Sequence, residues 1–263
     1  MRTALTLTAA LAAVSLAVGQ SSPPSTAPSY SAADVVNSAS NVPDALAPNA
    51  IATVYGTNLS YSTGSAFAAM PNAGALPVVL NAVHVYVSGI EAPLYYVSPT
   101  QINFLIPAEL RPGDMDFFTT HDGLAGPHVT ITVKDAGPAL YPWGQGMIAA
   151  THADGSVITE DHPAQAGETV VVYGTGLGKT DPQPGTGVIS MVAAQIQLLN
   201  ELQVLVAGTA LDSQSVRYAG VTPGTPGLYQ VNLVLPKQVE TDPEIRIAIG
   251  SQISPAGMKL PVH

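Results

Sequence analysis

The stretch Gly174-Thr175-Gly176-Leu177-Gly178-Lys179-Thr180 ends in Gly-Lys-Thr after a β-branched run, the local order in which a backbone loop and a lysine cradle phosphates. Its spacing breaks that pattern. The loop needs a glycine five positions before Gly178, where Tyr173 stands, and Asp181-Pro182-Gln183-Pro184-Gly185 follows where a helix should begin. The related stretch Gly56-Thr57-Asn58-Leu59-Ser60 has no lysine, so a turn common to both explains the glycines better than nucleotide binding. The histidines, His84, His121, His128, His152, His162 and His263, form no H-x-x-x-H or H-E-x-x-H pair, so a zinc site would need ligands from distant loops. His84 alternates with valines and is expected to face solvent, while His121, His152 and His162 lie among turn residues. Calcium could draw on the loop acids Asp122, Asp154, Glu160, Asp161 and Asp181, but no D-x-D-x-D-G loop gathers them. Hydrolase chemistry lacks a G-x-S-x-G elbow, and Glu160 and Asp161 directly precede His162-Pro163 as in a solvated turn. Gln101 with Asn103 and Gln230 with Asn232 recur as a pair and read as fold residues. That leaves Tyr141 and the single tryptophan, Trp143, as candidate ligand-binding residues: amphipathic rings that could stack on sugars if exposed, although their position at a domain boundary favours packing between two domains. No catalytic residue, cofactor site or metal site is expected.

The elements that would carry these residues read as β-strands. Short runs rich in Val, Ile, Thr and Tyr recur about every ten residues between Gly, Pro, Asn and Asp clusters: IATVYG from Ile51, VHVYVSG from Val83, QINFLIP from Gln101, HVTITV from His128, ETVVVYG from Glu168, LQVLVAG from Leu202, YQVNLVLP from Tyr229 and EIRIAIG from Glu244. Two segments dissent. Ser31 followed by Val35 and Val36 suits one or two helical turns, and the Met-, Ala-, Gln- and Leu-rich run from Val188 to Leu202 suits a short helix.

Three blocks repeat in order. Tyr55-Gly56-Thr57 returns as Tyr173-Gly174-Thr175, the strand ending at Gly89 returns ending at Gly208, and QINFLIP from Gln101 returns as QVNLVLP from Gln230. Two copies of one domain follow, the first expected over 31–140 and the second over 141–263, with the boundary near Tyr141–Gly146.

Met1, Arg2 and an uncharged apolar run from Ala4 to Val18, with small residues at Ala17 and Gly19, read as a signal peptide over 1–19. The run is short for a membrane span. Residues 20–30 are Pro- and Ser-rich and read as a linker. No cysteine is present, so the fold must rest on core burial. With 8 Lys and Arg against 18 Asp and Glu, a formal net charge of -10, and the basic residues scattered singly, nucleic acid and anionic membrane surfaces are poor partners.

The blocks "VVNSAS", "LAPNAIATVYGTNLS", "APLYYVSPTQINFLIP", "GETVVVYGTGLG" and "YAGVTPGTPGLYQVNLVLP" resemble a secreted C-terminal repeat family of soil acidobacteria (Solibacter-type). The G-T-N-L and G-T-G-L turns are similar to those of the wider IPT/TIG immunoglobulin-like domains. The resemblance implies an all-β fold of two tandem immunoglobulin-like β-sandwich domains, and secretion, more than an activity. The expected function is a secreted or periplasmic non-catalytic binding or adhesion module recognising polysaccharide or a cell-surface protein. The alternatives are an assembly module pairing through sheet edges, and a hydrolase with a dispersed loop site.

Overall fold

The computed structural model describes residues 26–69, 74–144 and 146–263. The expected signal peptide and the linker as far as residue 25 lie outside the described residues. Alternating side chains become half-buried strands because successive residues point to opposite faces. In Val83–Val87, Val83, Val85 and Val87 are fully buried while His84 and Tyr86 remain partly exposed. Removing each such valine from water contributes roughly 1.5–3 kcal/mol.

Seven main strands build the first sandwich: β1 (Val35–Asn37), β2 (Ile51–Tyr55), β3 (Val83–Val87), β4 (Leu94–Val97), β5 (Gln101–Leu105), β6 (Gly113–His121) and β7 (Val129–Val133). One sheet runs β1-β2-β5-β4 and ends on Gly64–Ser65, and the other runs β7-β6-β3 and ends on Ile90–Glu91. The second sandwich repeats the plan with β8 (Ala150–His152), β9 (Thr169–Thr175), β10 (Leu202–Val206), β11 (Val216–Val221), β12 (Tyr229–Val234), β13 (Ile245–Ile249) and β14 (Gln252–Ile253). There β8 and Ala139–Leu140 both pair with β9, the sheet continues through β12 and β11, and β10-β13-β14 forms the facing sheet. First, second, fifth and fourth strands in one sheet, against third, sixth and seventh in the other, is the immunoglobulin arrangement. The protein is thus two tandem immunoglobulin-like β-sandwiches.

The sequence repeat is a repeat of register. Tyr55 lies opposite Gln101 and Thr53 opposite Asn103; Tyr173 lies opposite Gln230 and Val171 opposite Asn232. Gln101 Nε2 donates to Asn103 Oδ1 at 2.8 Å and Gln230 Nε2 to Asn232 Oδ1 at 3.0 Å, so both amide pairs lie along the middle strand of a sheet. The strands β3 and β10 end in the same two-residue turn, Ser88-Gly89 (φ 52° and 77°) and Ala207-Gly208 (φ 50° and 74°). Two consecutive positive φ values match the twist of the flanking strands.

Each sandwich has its own hydrophobic cluster. Val133 belongs to the first and Ala136 to the second, and the chain crosses between them. The seam between the sandwiches is polar: Asn49 Nδ2 donates to Tyr229 Oη (3.1 Å), Ile51 N–H to Thr175 Oγ1 (2.9 Å), and Thr175 Oγ1 to Gly227 O (2.7 Å). The segment after β9 also reaches back to the first sandwich, where Leu76 N–H donates to Gly187 O at 2.9 Å and Ala108 N–H to Thr186 Oγ1 at 2.9 Å.

Each of the two helix expectations is met by a single 3-10 turn and no more. After Ser31 there is one 3-10 turn, Ala32–Asp34, tied by Ser31 N–H and Oγ donating to Asp34 Oδ2 at 2.8 and 2.7 Å. Val35 and Val36 then enter β1, where the buried edge of β2 offers their backbone a partner. In the run from Val188, Ala194–Ile196 is a strand between Thr180–Asp181 and β11, followed by a 3-10 turn over Leu199–Glu201. Sheet edges on both sides of Ala194–Ile196 outweigh its helical propensity, which is only a weak prior.

Candidate functional site

The hairpin after the crossover carries Trp143. Pro142 and Ile148 form a bridge, Trp143 N–H donates to Met147 O at 2.7 Å, and Met147 N–H donates to Gly144 O at 2.8 Å. Gly144 and Gly146 have φ of 68° and 80°, values glycine adopts at no steric cost. The turn holds the indole outward, 56% exposed.

A second turn faces it. Thr159 and His162 exchange backbone hydrogen bonds, each 3.1 Å, which puts Glu160 and Asp161 at the tip, exposed, with His162 exposed beside them. Ile158, buried beneath the tip, and Met147 give the space between the turns an apolar floor, and Pro261 closes one side. The result is a cleft of ≈ 280 Å³ bounded by the Trp143 indole and by Thr159, Glu160 and Asp161. His152 anchors the acidic turn from behind: its Nδ1 meets Glu168 Oε1 at 2.5 Å and its Nε2 meets His162 O at 3.4 Å. The hydrogen bond to Glu168 pushes the His152 pKa above its ordinary value, against the opposing effect of desolvation.

The two candidate aromatics, two positions apart, have separate fates. Tyr141 points into the seam, its hydroxyl 2.6 Å from Ser38 Oγ, and burial pushes its pKa up to about 12. Trp143 is the more exposed of the two.

The Gly-Lys-Thr stretch has a structural role. Gly174, Gly176 and Gly178 lie against the backbone carbonyls of Ala139, Gly137 and Asp135, where any Cβ would overlap an oxygen. Gly137 N–H donates to Gly176 O at 2.8 Å. The glycines therefore let the crossover run along the second sandwich. In the first sandwich Gly56 packs in the same way against the Ser29 carbonyl, and Ser29 and Thr57 exchange backbone bonds at 3.0 Å.

His84 does face outward, beside Glu91. His121 is corrected: it is the last residue of β6 and fully buried, with Nδ1 3.2 Å from Asn58 O and its ring edge-on to Tyr61. Asp154 caps its own turn, accepting from Ser156 N–H at 2.9 Å. Among the described residues no three His, Asp or Glu side chains are grouped to hold a metal ion. No described helix is long and apolar enough to cross a membrane.

Sequence reasoning missed a row of rings across the outer face of β7-β6-β3. Tyr86 stacks on Phe118 (4.6 Å between centroids), and Phe118 on His128 (4.3 Å), with His84 parallel to Tyr86 at 6.0 Å. Carboxylates close both ends: Glu91 at His84 and Asp116 at His128, 3.2 and 2.9 Å away. The alternation in β3 and β6 carries the signal for this row, but only the cross-strand register, Tyr86 opposite Phe118, brings the rings together. The rings cover one another's faces, as cross-strand aromatic pairs that stiffen a sheet do. A hollow of ≈ 390 Å³ at the crossover, lined among others by Lys134, Glu201 and Gln252, contains no aromatic ring.

No protein-family model matches the chain, and no curated protein does. Solved structures similar to this chain include two glycan-binding proteins and a plexin. SGBP-B from the Bacteroides ovatus mixed-linkage glucan utilization locus, in complex with a mixed-linkage heptasaccharide, is 14% identical over 84% of this chain and 43% of its own, with a TM-score of 0.32. The surface glycan-binding protein PbSGBP-B from Prevotella bryantii is 13% identical over 84% of this chain and 40% of its own, with a TM-score of 0.26. The extracellular region of plexin A4 is 10% identical over 95% of this chain and 19% of its own, with a TM-score of 0.28. This chain therefore spans less than half the length of each, and likenesses at this level bear on no residue and no activity here.

Proposed function

We propose that the protein is an exported, non-catalytic glycan-binding module whose contact site is the Trp143 cleft. The observation that carries this reading is the indole itself: a tryptophan more than half exposed forms one wall of a cleft instead of filling a core or the seam. Large apolar side chains are normally withdrawn from water, and a rigid exposed ring beside convergent polar groups suits a sugar, which has an apolar face and hydroxyls around its rim. At ≈ 280 Å³ the cleft lies just below the about 300–1,000 Å³ typical of small-molecule pockets. It suits one sugar ring, with any further chain running over the rim. The resemblance to the acidobacterial repeat family supports export and says nothing about the ligand.

The test is calorimetric titration of the full chain with soluble plant, fungal and bacterial polysaccharides, repeated with Trp143→Ala. Saturable binding weakened at least about ten-fold in the variant is expected, because an aromatic anchor contributes roughly 2 kcal/mol or more. The exposed position keeps the stability change of the variant within about 0.5 kcal/mol. Binding that is indifferent to Trp143, or no binding to any polysaccharide, refutes the assignment.

A further inference from the structure

Glu160 and Asp161 are exposed at the tip of the Thr159–His162 turn, and neither carboxylate has a hydrogen-bond or ion-pair partner among the described residues. Among the described residues no Lys, Arg or His lines the cleft they share with Trp143. An indole face is the best side-chain partner for an organic cation, and a carboxylate takes an ammonium in a charge-assisted hydrogen bond. The formal net charge of -10 adds long-range attraction for cations. A neutral sugar would leave both carboxylates unused, and a uronate or sulfated sugar would be repelled by them. Resting on the glycan-binding reading above, we infer that the cleft selects glycans with free amines: hexosamine units whose protonated amino group sits beside Glu160 and Asp161 while the ring lies on Trp143. Selectivity arises because acetylation removes the charge and the ammonium donors and adds bulk where the carboxylates stand.

The experiment titrates the full chain with glucosamine oligomers, N-acetylglucosamine oligomers of equal length and neutral β-glucan oligomers, at two salt concentrations. The amine series should bind at least about ten-fold more tightly than the acetylated one and lose affinity as salt rises. The double variant E160Q/D161N should bring the amine series down to the acetylated level, and Trp143→Ala should weaken both series at least about ten-fold. Asp114→Asn, an exposed acid on the outer face of the first sandwich, removes the same kind of charge elsewhere and should change nothing. Equal Trp143-dependent affinity for amine, acetylated and neutral oligomers overturns the amine selectivity and leaves the glycan reading standing. Amine binding undiminished in Trp143→Ala, or falling as much in Asp114→Asn as in E160Q/D161N, overturns it as general charge attraction. Oligolysine bound through Trp143, with no glucosamine oligomer bound, overturns it in favour of a basic protein. If no oligomer binds, both proposals fall.

Discussion

Gly176 and Gly208 provide a matched pair of substitutions that separates backbone conformation from close approach. Both have φ in the left-handed region, 78° and 74°. Alanine in that region costs about 1–2 kcal/mol. A Cβ at Gly208 meets nothing within 4 Å, so Gly208→Ala should cost that amount and no more. A Cβ at Gly176 overlaps the Gly137 carbonyl oxygen and presses on the Asn37 amide, whose Nδ2 donates to Gly137 O at 3.1 Å. Relief requires the crossover to move off β9, which breaks the 2.8 Å bond from Gly137 N–H to Gly176 O. Overpacking and the loss of a buried backbone bond each add about 1–3 kcal/mol. Gly176→Ala should therefore be less stable than Gly208→Ala by roughly 2–6 kcal/mol. Urea denaturation followed by far-UV circular dichroism measures the difference through the midpoints, provided the slopes agree. Equal midpoints for the two variants would falsify the claim that the glycine run exists for backbone contact with the crossover.

Two further outcomes are expected. Tyr229→Phe removes a buried hydroxyl that donates to Gly178 O and accepts from Asn49 Nδ2 across the seam, so stability in urea should fall by about 1–3 kcal/mol; no loss would mean that the seam hydrogen bond is idle. Because the His152 pKa is raised in the fold, the stability it contributes is complete below the ordinary imidazole value of about 6.5 and fades as pH rises through the folded-state value. Thermal melts of His152→Gln should then show a deficit near pH 6 that shrinks toward about pH 9, with Glu168, Asp154 and the His162 carbonyl as the groups facing the ring; a deficit constant with pH would assign the loss to packing.

Much of the architecture is legible in local pattern. Period-two alternation, as in Val83–Val87, marks a strand with one buried face, and the recurrence of Tyr55-Gly56-Thr57 at Tyr173-Gly174-Thr175 marks two copies of one domain, because both signals reside in consecutive residues. Beyond one 3-10 turn each, the two helical expectations gave way to strand where helical propensity competed with open sheet edges, which are contributed by residues far along the chain. The same limit governs the candidate site. Tyr141 and Trp143 are equivalent as sequence; the seam with Ser38 half-buries one, and a hairpin bridged to Lys259 through Met147 exposes the other. Glu160 and Asp161 read as a solvated turn, and they are one, but only tertiary folding sets that turn against the indole. Composition and alternation thus determined a cysteine-free, acidic, all-β tandem repeat, since burying one face of each strand is a local demand. Which aromatic meets solvent, which histidine enters the core and which carboxylates share a cleft were decided by contacts between residues far apart in sequence, whose energies no local pattern encodes.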